Sequence, residues 1–385
     1  MEICGIICEF NPFHNGHEYL LERAREMSGC DLLLCVMSGN FTQRGDITVF
    51  DKYTRAKHAI LGGADCVIEL PTAFAVAPAE IFAKGAVKLL SAIPSLSALS
   101  FGAENKDIDE LIKAAKISSD ENSEFKTELS KNLNAGESYI KSFSNAFKTA
   151  GGDQNLISKP NNILAIEYIK AFNKIGKTVK YCAVKRQGAY YNNTDMLQNF
   201  SSASAIRKNI NDEKVLSNVP PFVYSDISGC QDIATRYQSY LKLILSRTEP
   251  NELKCVLGCN EGLENVLKEL ENQPFDEIIE KATSKRYTSS RIKRILCENF
   301  LKLYEQGCKS YLTTPLYFTP LAVKKSSADS VFSALSQAKL PIITSSSDVN
   351  NLEGLAKQCK HSDDFAHSQW CQIAEKTVKN KMLLI

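Results

Sequence analysis

The stretch Ile3-Cys4-Gly5-Ile6-Ile7-Cys8-Glu9-Phe10, followed by Asn11-Pro12-Phe13-His14-Asn15-Gly16-His17 and then by Glu18 to Met27, decides how the rest of the chain reads. Its apolar run reads as a buried strand, its polar centre as a tight loop and its amphipathic end as a helix. The loop closes on HNGH, two histidines three residues apart across a glycine. If Gly16 begins the helix, the unpaired backbone N–H groups of the first turn face the loop and favour an anion there. A glycine lets that anion approach the backbone closely. His14 and His17 stand about one turn apart, and each can offer a ring N–H to a phosphate oxygen. Together they suit stabilisation of charge on an α-phosphate under attack. Two other readings of the histidines stay open, ordinary surface residues and a metal site. The metal reading is the poorer one and no metal ligand is assigned, because His58, His361 and His367 are remote in sequence.

Beyond the first helix, Gly29 supplies a stop and Asp31 to Met37 (DLLLCVM) is a second apolar strand. The loop Ser38 to Asp46 (SGNFTQRGD) follows, polar and glycine-bearing, the kind of loop in which α/β proteins place ligand contacts. Arg44 is its best partner for a carboxylate or phosphate. Asp51 to Leu61 reads as a helix capped by Asp51 and ended by Gly62-Gly63, and Cys66 to Leu70 (CVIEL) as a third strand. Ala79 to Leu90 is a helix and Leu96 to Phe101 a fourth strand, ending at Gly102. This rhythm predicts an α/β fold, a doubly wound parallel sheet with its ligand crevice at the carboxyl ends of the strands. The HNGH turn, the 38–46 loop and the Gly102 turn all fall on that rim.

Residues 107–150 are helical and polar and read as a helical insertion with no chemistry assigned. Asn161 and Asn162 precede a helix from Ile163 to Phe172, and at least one of them suits capping it. Thr178 to Val184 is a further strand that delivers Lys185-Arg186. Ser201-Ser202-Ala203-Ser204-Ala205-Ile206-Arg207-Lys208 then places hydroxyls ahead of a helix, with Arg207 one turn in. Such a start suits β- and γ-phosphates, although alone it is a serine-capped helix. From about Asp212 the alternation stops, which predicts two domains: a catalytic one over 1–211 and a mostly helical one over 212–385. In the latter, Lys285, Arg286, Arg291, Lys293 and Arg294 surround a tyrosine and hydroxyls at a helix start. That patch suits an RNA backbone, or is an exposed basic helix face. Ala322 to Leu340 supports no assignment, and Gln358 to Thr377 reads as a closing helix carrying Trp370.

Composition narrows the function classes. The 385 residues suffice for two domains with cores of their own, and 44% hydrophobic with 23% charged residues is ordinary for a soluble chain. A formal net charge of +2 means that any nucleic-acid surface must come from local clustering. Thirteen cysteines without a framework indicate reduced, mostly buried thiols and a cytoplasmic setting. Met1-Glu2 leads straight into a strand, so no targeting segment is expected. The most apolar stretch, Ala59 to Leu90, is interrupted by Asp65, Glu69, Pro71, Pro78, Glu80 and Lys84 and cannot span a membrane. Nothing in the sequence indicates the oligomeric state.

Seven segments in order, IICEFNPFHNGH, MSGNFTQRG, VIELP, SFGAE, KPNNILAIEY, SSASAIRK and TSSRIKR, closely resemble the bacterial tRNA(Met) cytidine acetate ligase family of the HIGH-type nucleotidyltransferase superfamily. The resemblance spans nearly the whole chain. It implies an enzyme that uses ATP to activate acetate as acetyl-adenylate, with magnesium expected. The acetyl group would then pass to the exocyclic amine of the wobble cytidine of elongator tRNA(Met). It also implies an ATP segment over Ile6, Ile7, Cys8, Glu9, Phe10, Asn11, Pro12, Phe13, His14, Asn15, Gly16, His17, Glu18 and Tyr19, with His14 and His17 catalytic. Gly102, one of Asn161 and Asn162, and Arg186 match further ATP contacts. Ser202, Ser204 and Arg207 correspond to the superfamily's second phosphate signature, with serine in place of the usual threonine. One departure stands out: after Arg186 the resemblance leads us to expect a tyrosine-histidine-acid ending, where this chain has Gly188-Ala189-Tyr190-Tyr191-Asn192-Asn193. An adenylyltransferase acting on a small phosphorylated cofactor precursor would use the same HNGH turn, but would need neither the basic patch nor a large helical second domain.

Overall fold

The structure is a computed structural model that describes the chain except residues 106, 120–122, 138, 187–198, 228–231 and 315, and the side chain of 140. Both faces of its first strand, β1 (Ile3–Cys8), are covered, which is why ICGIIC is apolar without alternation. Ile3 and Ile7 pack with Leu34, Val36 and Ile68 on one face, while Cys4, Ile6 and Cys8 pack with Leu33, Cys35 and Met37 on the other. The remaining strands are β2 (Leu32–Ser38), β3 (Cys66–Leu70), β4 (Leu96–Ala103), β5 (Lys180–Lys185), β6 (Pro320–Val323) and β7 (Leu383–Leu384). They form one sheet in the order β5-β4-β1-β2-β3-β6-β7. The first five strands are mutually parallel, β6 lies antiparallel to β3, and β7 is parallel to β6.

The chain winds outward from β1 through β2 to β3, then returns to place β4 and β5 on the opposite side of β1. The switch point therefore falls between β1 and β4, where a doubly wound sheet opens its crevice. Helices α1 (Asn15–Ser28) and α2 (Lys52–Leu61) cover one face through Leu21, Ala24, Ala56, Ala59 and Ile60. The helices Ala79–Ser91 and Pro160–Ile175 cover the other.

The C-terminal region is mostly helical, as its sequence texture predicts, but it also completes the sheet. Pro320–Val323 and Leu383–Leu384 extend the sheet beyond β3. An apolar run of four residues carries no usable periodicity, so Ala322 and its neighbours gave no signal. The helices within 107–150 are less solvated than expected: Leu111, Ala114, Phe125 and Phe147 join the main core. Among the described residues, no helix is long and apolar enough to cross a membrane.

Candidate active site

The HNGH turn is wired through its imidazoles. His14 is the N-cap of α1: its Nδ1 accepts the Gly16 N–H at 3.0 Å, and His17 Nδ1 accepts the His14 N–H at 3.3 Å. This is a capping box made by two histidines. The rings stack with centroids 3.7 Å apart. With Nδ1 used as an acceptor in both, the neutral tautomer keeps its proton on Nε2. Burial, with the Arg186 and Arg207 charges, lowers the His14 pKa to about 3; burial and the neighbouring His14 hold His17 well below the usual range. At neutral pH the site thus presents two uncharged Nε2–H donors.

This wiring corrects the role expected of the helix start. The N–H of Asn15 goes to the Asn218 carbonyl, those of His17 and Glu18 to His14 O, and that of Gly16 to the His14 ring. The first-turn amides are spent on protein partners, so anion contact falls to the imidazoles. Gly16 is needed for the same reason: a Cβ there would lie 2.8 Å from His14 Cε1.

These groups line a cleft of about 1160 Å³ at the switch point. From the first segment it receives Ile7, Cys8, Glu9, Phe10, Asn11, His14 and His17, and Gly16 and Tyr19 line an adjoining lobe. Ile6 and Phe13 are core residues, Pro12 is buried in the turn, Asn15 bonds the carbonyls of Asn199 and Ser217, and Glu18 lies off the cleft wall. Gly102 and Arg186 line the wall. Asn161 does too, accepting from Arg186 Nη1 at 3.3 Å.

The asparagine cap expected ahead of Ile163 is not formed. The helix begins at Pro160 with Lys159 as N-cap, and it is the Glu104 carboxylate that accepts from Asn162 N (3.0 Å) and Asn161 Nδ2 (2.6 Å). Asn162 is buried, and its carboxamide oxygen in turn accepts the Glu104 and Asn105 amides.

At the second signature, Ser202 is the N-cap of helix Ala203–Lys208 and accepts from Ala205 N at 3.0 Å. Arg207 ties the two signatures together, donating to the Asn11 carbonyl at 2.7 Å and to Ser204 Oγ at 3.3 Å. The Gly188–Asn193 departure lies outside the described residues.

The 38–51 loop supplies Thr42, Gln43, Arg44 and Asp46 to the cleft. Its frame is the buried Arg55, whose guanidinium donates to the carbonyls of Glu9, Ser38, Gly39 and Phe50. Lys52 and Glu69, both almost fully buried, pair beneath it at 2.7–2.8 Å. The remaining anchors come from the C-terminal half. His367 Nδ1 accepts from Asn40 Nδ2 at 2.7 Å, Trp370 Nε1 donates to Thr48 O at 2.9 Å, and Tyr237 OH donates to Gly45 O at 3.1 Å. The His367 assignment follows because its other nitrogen lies 3.1 Å from the Lys379 carbonyl, to which it donates.

The same half carries the basic patch, Lys285 to Arg294, at the start of helix Ser289–Leu301. Arg291 lies 4.7 Å over the Tyr287 ring and donates to Gly258 O and Asn260 Oδ1. Lys293 pairs with Asp46 at 3.2 Å, and Arg294 lies beside the buried Glu298. Lys285 and Arg286 are exposed, the latter pairing with Glu261 at 3.1 Å. All twelve described cysteines are free thiols, and eleven of them are buried.

A sequence model described as HIGH nucleotidyl transferase matches residues 1–383. The tRNA(Met) cytidine acetate ligase of Clostridium novyi is 37% identical over 332 residues, 82% of each chain. That of Clostridium perfringens is 36% identical over 370 residues, covering 88% of this chain and 91% of the relative. The chain belongs to the tRNA(Met) cytidine acetate ligase family. Crystal structures of Thermotoga maritima TmcAL match it over the full length of both chains. The apo form has a TM-score of 0.92 at 29% identity, and the form bound with alpha-thio ATP has 0.90 at 28%. Sequence reasoning therefore reached this ligase family and its fold. It did not reach Arg55, Tyr168 or the C-terminal anchors, whose roles depend on contacts between distant segments.

Proposed function

We propose that this chain is an ATP-dependent tRNA(Met) cytidine acetate ligase of the cytoplasm. An acetate oxygen attacks the α-phosphorus of ATP, the bond to the bridging oxygen breaks, and pyrophosphate leaves. The exocyclic amine of the wobble cytidine of elongator tRNA(Met) then attacks the acetyl carbon, AMP departs, and the amine loses a proton. The observation that carries the reading is the stacked histidine pair, held neutral chiefly by burial, with both Nε2–H donors left for the cleft, Arg186 close enough to lower both pKa values and Arg207 that of His14. Neutral donors fixed before reaction stabilise charge as it grows on the α-phosphate oxygens, without a protein nucleophile. Ser202, Ser204 and Arg207 receive the pyrophosphate end, and Asn161 rather than Asn162 meets the nucleotide, because Asn162 is buried in the β4 turn.

Magnesium fits this site as a companion of the substrate. Among the described residues no group of three or more His, Cys, Asp or Glu converges to hold a metal ion. The cleft carboxylates are Glu9, which accepts the Gln43 N–H at 2.7 Å, and Asp46, which pairs with Lys293. A magnesium ion would be held chiefly by phosphate oxygens and water, with Glu9 the cleft carboxylate on the same segment as the histidines, and would neutralise phosphate charge.

We place catalysis in residues 1–211 and RNA contact in 212–385. Lys285 and Arg286 are set to meet backbone phosphates, while Arg291, Lys293 and Arg294 brace the patch against residues 258–260 and the 38–51 loop. The test is incubation with labelled acetate, ATP and total tRNA, followed by nucleoside analysis. Label in acetylcytidine of tRNA(Met) is the expected result, and label without ATP dependence, or none in RNA, sinks the reading. In the same preparation, Lys285→Ala and Arg286→Ala should each lower the salt slope of tRNA binding by about 1. An unchanged slope places the RNA surface elsewhere.

A further inference from the structure

We propose that the acyl substrate sits on a floor formed by Phe82, Phe101, Leu164 and Tyr168, and that this floor sets the length of acid accepted. The proposal rests on the ligase reading above and assigns a role to residues which that reading leaves unused.

The cleft has two lobes that meet at the histidines. The smaller, of about 500 Å³, shares His14, His17 and Arg186 with the larger and continues to Tyr19, Val184 and Phe200. Strand-end backbone at Gly102 and Val184, with Tyr19 edge-on to Phe200, makes a narrow slot suited to a flat nucleobase. A nucleotide lying there brings its α-phosphate to the junction, so the attacking group enters from the larger lobe. Within that lobe the two walls belong to opposite faces of the sheet. Ser204 and Arg207 ride on the helix anchored by Ile206, which packs in the same core as Phe10 and Phe13. The aromatic floor belongs to the other core, where Phe82, Phe101 and Tyr168 are buried and Leu164 packs against them. With pyrophosphate drawn to Ser204 and Arg207, the in-line attacker must come from the floor side.

The charges on that side suit a small carboxylate. Glu9 is surrounded by Arg44, Arg55 and Arg207, whose charges oppose the upward push of burial on its carboxyl. Arg207 faces the pyrophosphate and Arg55 is buried on backbone carbonyls, so Arg44, which lines the cleft, is the cation of the three placed to meet a second anion. The floor beyond is apolar, and the Tyr168 phenol is pushed above its ordinary range by burial and by the Glu9 charge, so it remains a neutral wall. A methyl group packs against such a floor, and a longer chain directed at it meets the buried rings of Phe82, Phe101 and Tyr168. One methylene in an apolar pocket discriminates by about 10–200-fold.

The experiment is carboxylate-dependent ATP–pyrophosphate exchange without tRNA, using acetate, propionate and butyrate with wild type, Leu164→Ala and Phe101→Val. Leu164 is only half-buried, so its truncation is mild and keeps the test open if Phe101→Val folds poorly. The expected result is a butyrate-to-acetate ratio of kcat/KM at least tenfold above wild type in Leu164→Ala, and likewise in Phe101→Val if that variant folds. Two outcomes overturn the proposal: an unchanged ratio in folded Leu164→Ala, or normal acetate exchange in that variant together with a raised KM for tRNA in a parallel acetyl-transfer assay, which would seat the cytidine on the floor. Failure of the ligase reading is a separate result, the absence of acetate-dependent exchange in the wild type.

Discussion

Two segments meet at the cleft, the HNGH turn and the 38–51 loop, and they are held in place by opposite means. The imidazoles of the turn are ordered mainly from within: His14, Gly16 and His17 cap and stack on one another within four residues, while Asn15 bonds the carbonyls of Asn199, Ser217 and Asn218 and Arg207 donates to the Asn11 carbonyl. The loop is held from far along the chain, by Tyr237, Lys293, His367 and Trp370. Donors ordered mainly by one another keep their orientation when distant supports shift. A loop supported by four distant side chains takes its shape only when the C-terminal half has docked. The difference teaches that adenylation depends on both halves, although the groups proposed to touch the phosphates are confined to the first.

Removing the turn's own donors should have the largest effect. Losing one preorganised donor to a developing oxyanion costs about 10²–10³ in rate. His17→Ala should therefore reduce acetate-dependent exchange by at least that factor. His14→Ala should lose as much and in addition about 1 kcal/mol of stability, because it removes an N-cap. tRNA binding should persist in both. Undiminished pyrophosphate release in either variant would remove the histidines from the chemistry.

Two glycines separate local from distant support. At Gly45, φ is +78° and a Cβ would lie 2.5 Å from the Lys293 carbonyl oxygen, so Gly45→Ala forces one half of the molecule away from the other. The left-handed backbone alone costs about 1–2 kcal/mol. A lower melting temperature and a matching loss of exchange are expected. At Gly16 the nearest obstacle is the His14 ring, 2.8 Å from the added Cβ, and alanine also improves helix propensity by up to about 1 kcal/mol. Gly16→Ala should keep the wild-type melting temperature and lose exchange. If both variants lose stability equally, the turn is not self-supporting.

The same contrast explains what could be read beforehand. Strand, turn and helix around HNGH are separated by few residues, so apolar runs and punctuating glycines suffice to place them, and the parallel sheet follows. The histidine pair proposed to hold phosphate was legible too, but not how it is held, since a histidine N-cap looks like any other histidine. Arg55 reads as one charge on an amphipathic helix, yet it is fully buried and joins the end of β1 to both ends of the 38–51 loop through their carbonyls. In the basic patch, Lys293 and Arg291 read as an exposed face, whereas their partners, Asp46 and the Gly258 carbonyl, lie too far away in sequence for any local pattern to find.

The smallest effect expected at neutral pH is on pH dependence, and it again divides the two regions. His14, with its pKa lowered to about 3, and His367, lowered to about 4 by burial and the Lys52 charge, stand below the unfolded value of about 6.5. Between those values the unfolded chain binds protons that the native chain refuses, so stability rises with pH. It is fully present above about pH 6.5 and declines as pH falls toward 3–4. Melting temperature measured from pH 8 to pH 4 should be flat down to about 7 and then drop. His367→Asn should shallow that drop by removing the anchor's share, and leave the share of the turn. Exchange rates between pH 5.5 and 8, corrected for the folded fraction, should show no inflection from either histidine of the turn. A tenfold rise with an inflection near 6.5 would mean that one of them titrates during catalysis, and the two neutral donors would then have to be replaced by a proton-transfer role.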